Sequence, residues 1–168
     1  MTVAKKENKT NAMRILEKLK ISYEMYTDEC EDFIDGVHLA QMLSMPYEQV
    51  YKTLVTIGKI KNHYVFVIPV AEEIDFKKAA KVVGEKSLEM LPLKDLTAVT
   101  GYIRGGCTAI GMKKKFKTVI QKDAESLGRI AVSGGRRGLQ LFLKPDDLQR
   151  AAEAEYADVI SDVRQVSI

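Results

Sequence analysis

Hydrophobic and polar residues change rhythm several times along the chain, and each change marks an element. The first nine residues are polar and are expected to form a flexible N-terminus. From Thr10 or Asn11, either of which can cap a helix, Met13, Leu16 and Leu19 recur at helical spacing, with Ala12 and Ile15 beside them. Ile21 to Thr27 alternates around Tyr23 and Met25 and predicts a short strand. Asp35 then caps a small helix carrying Leu39, Ala40, Met42 and Leu43, and Pro46 opens a further helical turn. Val50 to Ile60 is β-branched and apolar on both faces, the pattern of a central strand. Lys61-Asn62 turns the chain, and His63 to Pro69 returns as an antiparallel partner.

Asp75 caps a helix that runs through Val83 and stops at Gly84, and Ser87 to Leu96 predicts another short helical stretch. From Gly101 the pattern breaks into short strands separated by glycines: GYIRGGCTAIG, KTVI and GRIAVSGGRRGLQLFL. Pro145 opens a last helix to about Ala154, and Ala157 to Ile160 predicts an edge strand. Strands and helices mix without a regular βαβ alternation, and no linker or repeat divides them. The expected fold is α+β: a single domain over residues 10–164, with a mainly antiparallel, barrel-like mixed sheet and surrounding helices.

At 168 residues such a chain buries enough surface for a core that needs neither disulfide nor metal. No apolar run reaches the length of a membrane span, and the start lacks the apolar core of a signal peptide. A cytoplasmic protein with no membrane partner is the expectation. Cys30, Cys107, His38 and His63 are too scattered for a zinc site, so no metal or cofactor is expected and the cysteines read as reduced thiols. Charge changes the picture more. Between Arg104 and Arg137 nine lysines and arginines face only Asp123 and Glu125, a local balance of +7 in a chain whose net charge is +3. Such a stretch points to an anionic partner, nucleic acid being the common one, or else to a solvated lysine-rich face.

Lys52 is the most informative single residue. It stands between Tyr51 and Thr53 in an otherwise apolar strand, where an ammonium is costly unless it is paired or reaches a cavity. It marks a pocket lined by the sheet, or else a side chain that carries its head to water at a strand end. GGCTAIG (105–111) exposes backbone N–H groups and admits close approach of a ligand, and it reads equally as a plain turn. SGGRRG (133–138) is a hairpin corner whose paired arginines suit phosphate, and with GGCTAIG it can form two walls of one mouth. Cys107 sits among glycines in a basic segment, yet no histidine is placed to form a dyad, and a pocket-lining thiol is the better reading.

In this order the segments NAMRILEKLKISYE, VYKTLV, FKKAAKVVG, TGYIRGGCTAIGMKKKFKTVI and VSGGRRGLQL resemble the YbaK/EbsC family, over roughly residues 10 to 160. The Cys-tRNA(Pro) deacylase branch is the nearest by eye, and the family is related to the editing domain inserted in bacterial prolyl-tRNA synthetases. The resemblance implies a trans-editing aminoacyl-tRNA deacylase. Such an enzyme removes a mischarged amino acid, cysteine above all, from tRNA(Pro), using the substrate's own thiol against its carbonyl. Lys52 matches the family's essential lysine and would hold the terminal adenosine. Gly101, Gly105, Gly106, Cys107 and Thr108 match the substrate-binding loop, and Ser133, Gly134 and Gly135 the corner beside it. N–H groups around Gly105 and Gly106 would orient the ester carbonyl. Tyr26 is the nearest counterpart of the family's aromatic wall, and Lys113, Lys114, Lys115, Arg136 and Arg137 would contact tRNA phosphates. Ala109 stands where the family loop carries a proline. Mischarged tRNA and prolyl-tRNA synthetase are the implied partners, and the chain is expected to be a monomer or weak homodimer. The competing expectation is a non-catalytic module of the same fold that binds tRNA or nucleotides.

Overall fold

The structure is a computed structural model, and it describes residues 9–28 and 36–163. Residues 1–8 of the frayed start expected over 1–9, the Asp35 cap and Cys30 lie outside the described residues. Helix α1 (Asn11–Lys18) begins at Thr10, whose side chain accepts a hydrogen bond from the Met13 amide, and buries Ala12, Met13 and Leu16. Strand β1 (Glu24–Thr27) follows, then α2 (Gly36–Met42) and a single 3-10 turn (Tyr47–Gln49) after Pro46. The expected hairpin forms from β2 (Tyr51–Gly58) and β3 (His63–Pro69), with Lys52 opposite Ile68. Asp75 caps α3 (Phe76–Val83) by accepting from the Lys77 and Lys78 amides, and Gly84 in the left-handed region ends it.

The stretch expected as a helix over Ser87 to Leu96 is instead β4 (Leu88–Met90), which pairs with the open edge of β2. Pro92 disfavours helix at the residue before it, and the Leu91 amide goes to Val55 O at 2.9 Å, extending the pairing. Only after Pro92 does the chain coil, through a 3-10 turn (Leu93–Asp95) into α4 (Leu96–Thr100). The expected strand at GYIR is absent: α4 stops at Gly101, and residues 101–116 run irregularly. The remaining elements are β5 (Lys117–Gln121), the hairpin β6 (Ile130–Ser133) and β7 (Leu139–Leu143), α5 (Pro145–Ala152) and β8 (Glu155–Ala157). The last strand ends early because Gln121 Oε1 accepts from the Val159 amide at 2.8 Å, taking the donor a ladder would need.

One sheet has the order β4-β2-β3-β5-β8 and the other β1-β7-β6. Pairing is antiparallel except for β3–β5 and β5–β8, so the sheet is mixed as well as mainly antiparallel. A single parallel bridge between Val50 and Ala131 joins the two, which makes the arrangement barrel-like without closing it. Leu16, Leu139, Leu141 and Leu148 are fully buried in the cluster that fixes α1 and α5 to the sheets, each contributing about 1.5–3 kcal/mol of transfer free energy. Phe66, Ile68 and Val119 pack under α3 on the other side. The β2–β3 hairpin is thus covered on both faces, and Lys52 is the exception in it.

Candidate active site

The cleft opens where the first part of β2 meets the seam between the sheets, and it encloses about 650 Å³. Tyr51 to Val55 of β2 form its floor. Gly36, Leu39 and Val70 flank one side, and Met90, Leu91, Leu93 and Leu96 supply an apolar side. Arg104, Gly105 and Cys107 come from the irregular segment after α4, and Ser133 and Gln140 from the β6–β7 hairpin. The volume is that of a site for a ligand of nucleoside size.

Lys52 is partly buried in this cleft, and its Nζ donates to Val70 O at 3.2 Å. Burial pulls its pKa below the ordinary lysine value, with the carboxylates of Glu73 and Glu72 pulling the other way. An ammonium has three N–H bonds and no acceptor site, so the Val70 carbonyl leaves two for a ligand. The charge is costly at this position, and the cleft is what gives it a partner to find.

Two glycine-rich segments make the mouth, as their pairing in the sequence led one to expect. Arg137 Nε donates to Arg104 O at 2.8 Å, tying one tip to the other. Gly106 is buried where they cross: a Cβ there would lie 2.8 Å from Arg136 Cα. Its N–H is already given to Ile103 O at 2.9 Å, closing a turn, so Gly106 is not the carbonyl donor it was expected to be. That turn places Gly105 at φ +83°, where glycine is favoured, with its own N–H outside the turn's hydrogen bond.

The other expected residues divide. Ser133 and Cys107 line the cleft, whereas Gly134 and Gly135 stand behind Ser133, whose Oγ accepts from the Gly135 amide at 3.4 Å. Thr108 is buried and accepts from the Ile110 amide, and Gly101 ends α4, so both shape the loop from outside the cleft. Tyr26 lies on β1 opposite Gln140 and does not line the cleft. The basic stretch is not one patch. Lys115 pairs with Glu153 at 2.9 Å, Lys117 with Glu155 at 3.5 Å and Arg129 with Glu24 at 3.7 Å, away from the mouth. Lys113 donates to Ala98 O at 3.3 Å, Lys114 is exposed, and Arg104, Arg136 and Arg137 sit at the junction of the two tips.

Gln140 was missed. It is 6% exposed and lines the cleft from the second position of β7, a polar side chain between Leu139 and Leu141. The signal was the one that singled out Lys52: a polar residue inside the apolar run LQLFL. Burial pushes the Cys107 thiol up to about 11, so at neutral pH it is neither a thiolate nor a nucleophile. With Cys30 replaced by serine, alkylation by iodoacetamide at pH 7.5 is expected to run far below the rate of free cysteine and to climb toward pH 11. A rate at pH 7.5 matching free cysteine would contradict this assignment.

An α+β fold with a strand lysine beneath two crossed glycine-rich segments defines a class. Residues 35–151 match the family model described as an aminoacyl-tRNA editing domain, and the chain belongs to that family. An Enterococcus faecalis (strain ATCC 700802 / V583) protein named "Putative Cys-tRNA(Pro)/Cys-tRNA(Cys) deacylase EbsC" is 42% identical over 160 residues, 95% of this chain and 98% of that one. Among solved structures, "a putative trans-editing enzyme for prolyl tRNA synthetase" superposes with a TM-score of 0.74 at 20% identity, covering 90% of this chain and 97% of that one. The hypothetical protein APE2540 superposes with a TM-score of 0.83 at 18% identity, over 90% of this chain and 100% of that one. No helix among the described residues is long and apolar enough to cross a membrane.

Proposed function

We propose that the protein is a trans-editing aminoacyl-tRNA deacylase that removes cysteine mischarged on tRNA(Pro). The observation that carries this reading is the partly buried Lys52 ammonium, whose acceptor among the described residues is Val70 O alone, on the floor of a cleft walled by both glycine-rich segments. Lys52 holds the phosphate or ribose of the terminal adenosine. The Gly105 N–H faces the ester carbonyl and takes up its developing negative charge. Gln140 offers its amide to the aminoacyl group, and the apolar side at Leu91 and Leu96 receives a small side chain. No histidine is among the described residues that line the cleft and Cys107 stays protonated, which favours the substrate's own thiol as the nucleophile. Its sulfur bonds to the carbonyl carbon as the ester C–O bond breaks, and the thiol proton ends on the released 3′ oxygen.

Arg136, Arg137, Lys113 and Lys114 meet the acceptor-stem phosphates, which set affinity rather than sequence choice. Lys115 joins them at little cost, because its exposed pair with Glu153 is worth at most about 1 kcal/mol. Choice of tRNA(Pro) falls to a partner such as prolyl-tRNA synthetase, and the chain acts as a monomer or weak homodimer.

Cysteinyl- and alanyl-tRNA(Pro), labelled in the amino acid, test the reading. Rapid loss of the cysteinyl ester is expected, with the thiol-free alanyl ester surviving. That no histidine stands among the described lining residues to activate Ser133 or Cys107 also favours a second reading, a module that binds tRNA ends without chemistry. Survival of both esters, together with tRNA binding that weakens steeply with salt, would select it.

A further inference from the structure

Two consecutive residues at the start of α1 reach both glycine-rich segments. Thr10 Oγ1 donates to Gly134 O at 2.6 Å, in the corner that carries Ser133. Asn11 Nδ2 donates to Gly111 O at 3.0 Å, at the far end of the segment that carries Gly105 and Cys107. Packing repeats the arrangement: a Cβ on Gly111 would lie 2.6 Å from Asn11 Nδ2, and one on Gly135 would lie 3.2 Å from Thr10 Cβ. Tyr102 fills the space between. Its hydroxyl donates to Ile110 O at 2.6 Å, and its ring edge would lie 3.3 Å from a Cβ on Gly135.

We infer that Thr10 and Asn11 are positioning residues for the deacylation cleft: the first turn of α1 sets the spacing between its two glycine-rich walls. The inference rests on the cleft being the deacylation site. Neither residue lines the cleft, and both precede residues 35–151, which match the editing-domain family. The contacts explain why they matter. Gly105 and Ser133 sit on separate segments, and the carbonyl donor is useful only if held within a fraction of an ångström. On the outer side the Arg137–Arg104 tie closes the mouth, and on the inner side α1 fixes the two segments to a helix whose Leu16 is fully buried.

Asn11→Asp separates this role from helix stability. A carboxylate in the first helical turn favours the helix, yet it cannot donate to Gly111 O. Thr10→Val keeps the shape and loses the hydroxyl, and Thr10→Ser restores it. The expected result for Asn11→Asp is an unchanged melting temperature, faster amide hydrogen exchange across 105–111, and kcat on cysteinyl-tRNA(Pro) lowered about tenfold with KM little altered. Thr10→Val is expected to speed exchange across 133–138 and lower kcat likewise, with a lower melting temperature because the cap on the Met13 amide is lost too, and Thr10→Ser to rescue all three readouts. Exchange and kcat unchanged in Asn11→Asp and Thr10→Val would overturn the inference. If wild type removes no ester, the functional reading fails, and the exchange rates alone then decide whether α1 holds the two segments.

Discussion

Lys52→Ala is expected to lower the rate of cysteinyl-tRNA(Pro) deacylation by about two to three orders of magnitude in a protein that still folds. The two halves of that statement come from one fact. The ammonium sits where burial depresses its pKa, and among the described residues it has one acceptor, Val70 O. Removing it deletes a donor from the cleft without stranding a buried carboxylate, because the nearby Glu72 is partly open to solvent and Glu73 is exposed. Lys52→Met goes further: it fills the same volume with no charge to desolvate, and a melting temperature equal to or above wild type is expected. A folded Lys52→Met protein that deacylates at the wild-type rate would remove lysine from the mechanism. The same group gives a pH test. The ammonium binds an anionic or ribose oxygen more strongly than the neutral amine does, so binding of a non-hydrolysable aminoacyl-adenosine should weaken as alkali titrates Lys52, at a pH below its ordinary 10.5.

The second large effect concerns a residue that touches no substrate. In Gly106→Ala the new methyl would lie 2.8 Å from Arg136 Cα and 2.9 Å from its carbonyl carbon. Both are backbone atoms and cannot swing aside as a side chain would. The two tips must part, stretching the 2.8 Å bond from Arg137 to Arg104. Overpacking of this kind costs about 1–3 kcal/mol, a fall of several degrees in melting temperature for a domain of this size. Activity should fall further, about a hundredfold, since an ångström of displacement at the carbonyl donor is enough for that. Gly128→Ala, where a Cβ meets nothing within 4 Å, is the matched control. Gly106→Ala with wild-type melting and wild-type turnover would show that the two tips do not need their present spacing.

The sequence was legible where one local signal decided the outcome. The caps at Thr10 and Asp75 and the stop at Gly84 stand where their side-chain and backbone chemistry put them. The apolar run of β2 made Lys52 conspicuous, and the cleft formed around it. It was misleading where a residue's fate depended on a distant partner. Leu88 to Met90 carries helix formers but lies beside the open edge of β2, and pairing there outweighs weak propensity. Gly106 was expected as a donor from the loop's resemblance to the family's, and a four-residue turn starting at Ile103 consumes its N–H. The basic stretch read as one surface, while Glu24, Glu153 and Glu155, remote in sequence, draw parts of it elsewhere.

The hydrogen bonds from Thr10 and Asn11 span 124 and 100 residues. Contacts of such separation form late, because a long loop must close before they give anything back. On a ribosome, the first helix therefore waits for more than a hundred residues with its loop-holding Thr10 hydroxyl unsatisfied, and the cleft has no second wall until the β6–β7 hairpin emerges. A nascent chain halted before residue 134 can fold the β2–β3 hairpin with Lys52 in place and still have no site. Competence waits for that hairpin.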